Sequence, residues 1–383
     1  MIPGRSLAAA LFLAGVLAPA ASWALTPAPP YRSAIVFDPA GGEVLYEYRA
    51  HVPYPTASMV KMMTALVVMD HVRSGAVGWD EVVEVTHRAS RVGGSRVYLE
   101  PGELFTVGDL VAAVMVKSAN DAAYALAEAV SGSAEAFVRE MNDKGHELGL
   151  EASRFYTPHG LPPERPGQQN DVMTARDLAF VGAAVLREPR LRELARTRSL
   201  PFRDGELELR SSNHLLRNWD EAIGVKTGWT SQADFCLTAA ASRHGRELIA
   251  VVQGATRKQE SFAAARRLLE EGFSRYRLVT LVRAGERLSR PVPVAGGSRD
   301  SVPVVALESV RVLVRDDRRA EGLPVVLGRR LEAPVAAGEP AGTAVFRYDD
   351  RLAARVPVAA AEPVERLPWW QRLWRRLAAF VTA

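Results

Sequence analysis

The chain has 383 residues, 48% of them hydrophobic and 24% charged, which is a globular composition long enough for two domains and a sizeable core. A net charge of +4 is small for this length, and no glycine-rich phosphate loop is present, so nothing argues for a nucleic-acid partner. Cys236 is the only cysteine and the seven histidines include no His-x-x-x-His pair, which excludes an intramolecular disulfide and a cysteine-clustered zinc site and leaves nothing that points to a metal or other cofactor.

Residues 1–24 read as a signal peptide. Arg5 supplies a positive start, Leu7 to Leu17 is an apolar run too short to favour a retained anchor, and Ser22-Trp23-Ala24 is a small-x-small cleavage pattern. An exported protein starting at Leu25 is expected. Residues 32–50 predict a hairpin: Ser33 to Phe37 is an apolar strand, Asp38-Pro39-Ala40-Gly41-Gly42 is turn chemistry, and Glu43 to Tyr48 returns.

Pro53 and Pro55 then hold the chain extended, and from Ala57 to about Arg73 a helix is predicted, with Gly75 as its stop. Its side chains are apolar on every side, the mark of a buried helix, and Met59, Met62, Met63 and Met69 read as core filling. Ser58 and Lys61 are three residues apart and share one face. A buried lysine costs several kcal/mol unless it is paired or sheds its proton. A lysine that sheds its proton beside a hydroxyl is a base beside a nucleophile. An N-cap serine with a snorkelling lysine fits the same residues.

Short strands and turns occupy residues 82–110. Thr106 caps a helix over Val107 to Val116, and a second apolar helix runs from Asn120 to Val130. Their polar link, Lys117-Ser118-Ala119-Asn120-Asp121, sits where two buried helices meet and serves either capping or chemistry. Phe137 to Leu148 is helical. Residues 156–173 form a loop long enough to suggest function, in which His159 is either catalytic or simply hydrogen-bonded, and Thr174 caps the next helix. Strands follow at Ile223 to Thr230, Asp234 to Ala241 and Glu247 to Gln253, then an amphipathic helix from Gln259 to Tyr276 with Phe262, Ala265, Leu269 and Phe273 on one side. Consecutive strands packed by helices from both ends of the segment predict an α+β domain with an antiparallel sheet.

From residue 278 the pattern changes. Val292, Val294, Val302, Val304, Val310, Val312 and Val314 repeat at period two between turn residues, which predicts a small all-β domain over 278–362. In residues 363–383, Trp370, Leu373, Trp374, Leu377 and Val381 share one helical face, and Gln371, Arg372, Arg375 and Arg376 the other. Such a helix suits a lipid headgroup region and is too short and charged to span a bilayer; packing on its own β domain is the alternative.

Ser58-Met59-Val60-Lys61, Ser118-Ala119-Asn120 and Lys226-Thr227-Gly228 stand in the order of the motif set of β-lactamases and penicillin-binding proteins. Ser211-Ser212-Asn213 also reads Ser-x-Asn but lies too near Lys226 to be the second motif. Residues 32–277 resemble the low-molecular-mass penicillin-binding proteins, the serine-type D-alanyl-D-alanine carboxypeptidases, also through Gly94 to Glu103, Asp121-Ala122-Ala123, Asn213-His214-Leu215-Leu216, Gly224 to Thr230 and Glu260-Ser261-Phe262. The resemblance extends more loosely over the β domain and the terminal anchor. Two departures stand out. Ser212 occupies a position where the family often has arginine, leaving Arg210 or Thr227 for the substrate carboxylate. No Glu-x-x-Leu-Asn follows the second motif, so rapid penicillin hydrolysis is not expected.

The resemblance implies a β-lactamase/transpeptidase-like domain over 25–277, peptidoglycan stem peptides as substrate, and β-lactam antibiotics as covalent inhibitors. It implies Ser58 as nucleophile, Lys61 as base, Ser118 as proton relay and Asn120 as the group that positions Lys61 and the substrate amide. Lys226, Thr227, Gly228 and Trp229 would bind substrate, with backbone N–H groups of Ser58 and Trp229 forming an oxyanion hole. The expected location is the periplasmic side of the bacterial cytoplasmic membrane. An endopeptidase with the same motifs, or a wall-binding scaffold with a relic site, are the other readings.

Overall fold

Five antiparallel strands form the central sheet of this computed structural model, which describes residues 29–163, 167, 169–315, 325–327, 330–348 and 351–371. The expected signal peptide, and the expected terminal helix beyond Gln371, lie outside the described residues. Strands β1 (Ser33–Asp38) and β2 (Glu43–Tyr48) are the predicted hairpin. Strands β3 (Ala222–Thr230), β4 (Asp234–Arg243) and β5 (Arg246–Ala255) come from the far end of the same region, and the spatial order is β2-β1-β5-β4-β3. The two groups join along β1 and β5, Ser33 opposite Gln253 and Phe37 opposite Ile249.

The sheet is buried on both sides, which is why Ser33 to Phe37 reads as an unbroken apolar run. Ala34, Val36, Leu248, Ala250 and Val252 face one core, where helix α6 (Lys258–Arg275) lays down Phe262, Ala265 and Leu269. Ile35, Phe37, Ile249 and Val251 face the other. There α5 (Ala175–Arg187, capped by Thr174) packs on β1 and β5. Helix α1 (Lys61–Ser74) lies beyond it, touched by α3 (Asn120–Ser131) and α4 (Ala134–Glu147). Enclosure from several directions explains its apolar circumference; Met62, Met63, Ala65 and Val68 have no exposed surface.

The start of α1 differs from the expectation. Ala57–Val60 is a 3-10 turn, entered through Ala57 at φ 49°, and the α-helix proper begins at Lys61. The end agrees: Gly75 takes φ 76° and closes the helix. Helix α2 (Val107–Ala112) starts in a Thr106–Asp109 capping box, continues as a π-turn over Ala113–Lys117, and stops at Ser118 with φ 66°. A helix at Pro189–Arg196 and a hairpin of Ser199–Phe202 with Leu207–Arg210 fill a stretch for which the sequence reading made no assignment.

From Tyr276 onward the described elements are strands. Tyr276–Val282 pairs with Val310–Arg315, and Arg351–Ala360 lies between Val304–Ala306 and Pro340–Tyr348. Val292, Val294, Val302, Val304, Phe346 and Val358 form a core of their own. Trp369, Trp370 and Gln371 are helical, and the two indoles are 71% and 51% exposed. Among the described residues no helix is long and apolar enough to cross a membrane.

Candidate active site

The site lies where the head of α1, the Ser118 corner and strand β3 converge on a cleft of about 670 Å³. Ser58, Ser118, Asn120, Thr227 and Trp229 line it. Lys61 sits behind Ser58 with no exposed surface, its Nζ 3.0 Å from Ser58 Oγ. Burial holds this ammonium well below the ordinary lysine range, and the Lys226 charge pushes the same way, against the weaker pull of Asp171 and Asp121. A neutral amine at hydrogen-bond distance from a hydroxyl can take its proton.

What steers Lys61 is a backbone group. Its Nζ donates to the His159 carbonyl at 2.6 Å. That carbonyl belongs to the long loop, which is fastened rather than free. Buried Asp171 accepts from the Tyr156 and Thr157 amides at 2.6 and 3.0 Å and from Thr157 Oγ1 at 2.6 Å. Thr157 Oγ1 in turn accepts from the Gly160 amide, and Thr64 Oγ1 of α1 donates to the Pro158 carbonyl at 2.6 Å. Burial, against these bonds, raises the pKa of Asp171. The His159 ring stacks on Tyr124, and burial and then Lys61 push its pKa down to about 3, so it is neutral and does not titrate near pH 7. Its contribution to this arrangement is the carbonyl.

Two glycines let the Ser58 turn be gripped from both sides. A Cβ on Gly160 would lie 2.1 Å from the Ala57 oxygen, and one on Gly228 would lie 2.7 Å from the Thr56 oxygen and 3.3 Å from the Met59 nitrogen. Strand β3 and the loop therefore both touch the backbone of this turn directly.

Across the cleft, the left-handed turn at Ser118 carries its hydroxyl to Lys226, whose Nζ donates to Ser118 Oγ at 2.8 Å. Lys226 is buried on β3, and burial pushes its pKa down to about 7. Asn120 donates through Nδ2 to the Gly93 carbonyl at 2.6 Å, while its Oδ1 is buried without a partner among the described residues. The expected contact between Asn120 and Lys61 is absent: the amide nitrogen is committed to Gly93 and the lysine to Ser58 and His159. Next along α3, Asp121 accepts from the Val97 and Leu99 amides and holds the segment over the cleft.

At the β3 end, Ser212 Oγ and Thr227 Oγ1 are 2.5 Å apart. Arg210 pairs with Glu208 and is not among the residues lining the cleft. Ser211 and Asn213 make local turn bonds before the Leu215–Asn218 helical turn, consistent with a structural rather than a second-motif role. Trp229 is 59% exposed at the rim, tilted against Phe235. Asp171, Thr157 and Gly160 were not singled out by sequence; the only signal was the length of their loop. Among the described residues no cluster of candidate metal ligands is present.

An α+β core that buries a lysine against a serine hydroxyl at the head of a central helix defines a serine-type hydrolase. Comparison with known proteins narrows it. The family described as D-alanyl-D-alanine carboxypeptidase matches residues 25–257, and the C-terminal domain of penicillin-binding protein 5 matches residues 276–366. The D-alanyl-D-alanine carboxypeptidase DacF of Bacillus subtilis is 31% identical over 88% of this chain and 86% of its own length. The crystal structure of penicillin-binding protein 5 from Haemophilus influenzae superposes with a TM-score of 0.74 at 28% identity, over 89% of this chain and 99% of that one. A D-alanyl-D-alanine endopeptidase of Pseudomonas aeruginosa is 33% identical over 62% of this chain and 75% of its own length. The chain belongs to the serine-type D-alanyl-D-alanine carboxypeptidase family of low-molecular-mass penicillin-binding proteins, and it is a serine DD-peptidase of peptidoglycan.

Proposed function

We propose that the protein removes the terminal D-alanine from pentapeptide stems through an acyl-enzyme on Ser58. The observation that carries this reading is the fully buried Lys61, 3.0 Å from Ser58 Oγ, with its ammonium form disfavoured. Ser58 attacks the carbonyl of the penultimate D-alanine, and neutral Lys61 takes its proton. Backbone N–H groups of Ser58 and Trp229 receive the oxyanion, each worth roughly 3 kcal/mol. Ser118, bonded to Lys226, relays a proton to the departing amine. The unpartnered Oδ1 of Asn120 accepts from the substrate amide. Lys226 and Thr227 attract the substrate carboxylate, and the β3 backbone at Thr227 to Trp229 pairs with the extended peptide. Water then releases the shortened stem. β-Lactams would acylate Ser58 by the same route and be released slowly.

Carboxypeptidase is preferred to endopeptidase because the chain continues into the β region that the carboxypeptidase relatives share, whereas the endopeptidase match covers a smaller part of it. We place residues 25–277 as the catalytic domain and 278–362 as the β domain. The expected terminal helix does not start at 363, because residues 363–368 are extended, with Val364 and Arg366 bridged to Val335 and Gly297. The helix lying on the membrane surface after export would start at Trp369. The exposed Trp369 and Trp370 support that last assignment. The test is D-alanine release from a pentapeptide muropeptide, alongside a cross-linked muropeptide dimer. Release from the pentapeptide alone, lost in Ser58→Ala, is expected. Cleavage of the dimer alone means an endopeptidase, and no cleavage of either means a scaffold.

A further inference from the structure

A peptidase that removes one C-terminal residue has to recognise a carboxylate, and a carboxylate in a largely apolar cleft needs a cation and hydrogen-bond donors. The arginines around the β3 end of the cleft are occupied. Arg210 pairs with Glu208, Arg217 donates to the Ser211 carbonyl, and Arg257 is tied to Glu260 in the capping box of α6. Lys226 attracts the carboxylate by its charge, but its Nζ already donates to Ser118 Oγ and to the Thr227 carbonyl, which leaves room for a second cation at the cleft surface. Lys258, the first residue of α6, lines the cleft together with Ser212 and Thr227 and pairs with no carboxylate among the described residues. Among the described residues its side-chain neighbour within hydrogen-bond reach is the ring of His214, at 3.4 Å. That ring is stacked on Phe262, centroids 5.1 Å apart, and burial and then the Lys258 charge lower its pKa, so it steers the ammonium without neutralising it. His214 also lies two residues after Ser212, whose hydroxyl shares one proton with Thr227. Two hydroxyls hold two protons; one lies between them, and the other is free to donate.

We propose that Lys258, together with the Ser212–Thr227 hydroxyl pair, binds the terminal carboxylate of the substrate. Lys258 is then a specificity-determining residue: it selects peptides that end in a free carboxylate. The inference rests on the DD-peptidase reading above, and Lys117, which also lines the cleft but precedes the Ser118 corner, is its competitor.

The test measures kcat/KM for release of the last residue from one D-alanyl-D-alanine peptide in two forms, free acid and C-terminal amide. The ratio of the two values on a single preparation is independent of how much of a variant is folded. Wild type should prefer the acid. Lys258→Met should lower that preference by roughly ten- to a hundredfold, the loss of one charge-assisted hydrogen bond, with the amide peptide little changed. Lys258→Arg should keep most of it. An unchanged ratio in Lys258→Met overturns the proposal, as does a loss seen in Lys117→Met and not in Lys258→Met. If wild type releases nothing from either peptide, it is the underlying peptidase reading that fails.

Discussion

Replacing Gly160 by alanine tests whether the loop and the Ser58 turn are one mechanical unit. The new Cβ would stand 2.1 Å from the Ala57 oxygen, 2.6 Å from its carbonyl carbon and 3.2 Å from the Ser58 nitrogen. Ordinary carbon–oxygen contacts are longer by more than about 1 Å, so something has to move that far. The turn cannot simply retreat, because Gly228 of β3 already lies against its other side. The loop can retreat only by drawing the His159 carbonyl off Lys61 and straining the bonds from Asp171 to Tyr156 and Thr157. Either movement displaces the Ser58–Lys61 pair by roughly 1 Å, which is worth on the order of a hundredfold in rate. Alanine at φ 80° adds about 1 kcal/mol of backbone strain, which Gly75→Ala, at φ 76° with nothing within 4 Å, reproduces without the clash. Acylation by a labelled penicillin and hydrolysis of the pentapeptide are measured well below each variant's own melting transition. Gly160→Ala should lose about a hundredfold in both and Gly75→Ala almost nothing. A Gly160→Ala protein that acylates within about threefold of wild type means that the loop does not set the nucleophile's position.

Two further outcomes follow from the lysines. The kcat/KM profile reports the free enzyme: it should rise as Lys61 sheds its proton and turn down above pH about 7 as Lys226 loses its charge, and a bound carboxylate should move that downturn to higher pH in kcat. Lys226→Arg stays charged, so it should remove the alkaline limb while keeping some activity; a limb that persists unchanged belongs to another group. Lys61→Met concerns stability. In the folded chain Lys61 is neutral at pH values where the unfolded chain, with its ordinary value of 10.5, still binds the proton, so wild-type stability rises with pH from the folded value up to about 10.5. The methionine variant lacks this contribution. Its stability relative to wild type, from urea unfolding, should therefore be greatest at pH 7 and decline by pH 9.5, and two parallel curves contradict a neutral buried Lys61.

The features that sequence predicted well are local ones. The Asp38 to Gly42 turn, the Thr106 and Thr174 caps, the Gly75 stop and the alternating valines after residue 290 all act within a few residues, and each lies where it was expected. The Ser58–Lys61 contact was legible for the same reason, being set by helical spacing. The pairing of β1 with β5 joins residues far apart in the chain, and no pattern in either strand specifies the other. The Ser199–Arg210 hairpin did leave a signal, since Leu200 and Phe202 alternate outward-facing residues, as do Leu207 and Leu209, around an Arg203-Asp204-Gly205 turn. Pro201 and the charged residues between them obscure it. The second partner of Lys61 could not be read at all. It is a carbonyl, which every residue carries, and only the fold of the Asp171-held loop selects the one at His159. The Asn120 expectation failed for the same reason, because its amide is taken by the Gly93 carbonyl.

The cleft also collects most of the local rules that the chain breaks. Ala57 and Ser118 are left-handed without being glycine, and, among the described residues, Lys61 and Lys226 are buried amines with no carboxylate in a salt bridge and Asn120 Oδ1 is buried without a donor. Each is unfavourable by about 1–3 kcal/mol or more if considered alone. They persist because the elements around them are over-determined. Helix α1 is enclosed by packed apolar side chains, Asp121 and Asp171 each hold several backbone amides, and β3 is an edge strand whose inner side is pressed onto the Ser58 turn. Strain of this kind relaxes if its support loosens, so the fixed parts matter as much as the reacting ones. That is why substitution of the supporting residues Asp171 and Gly160, which carry no chemistry of their own, is expected to cost activity, though less than loss of the Ser58 nucleophile.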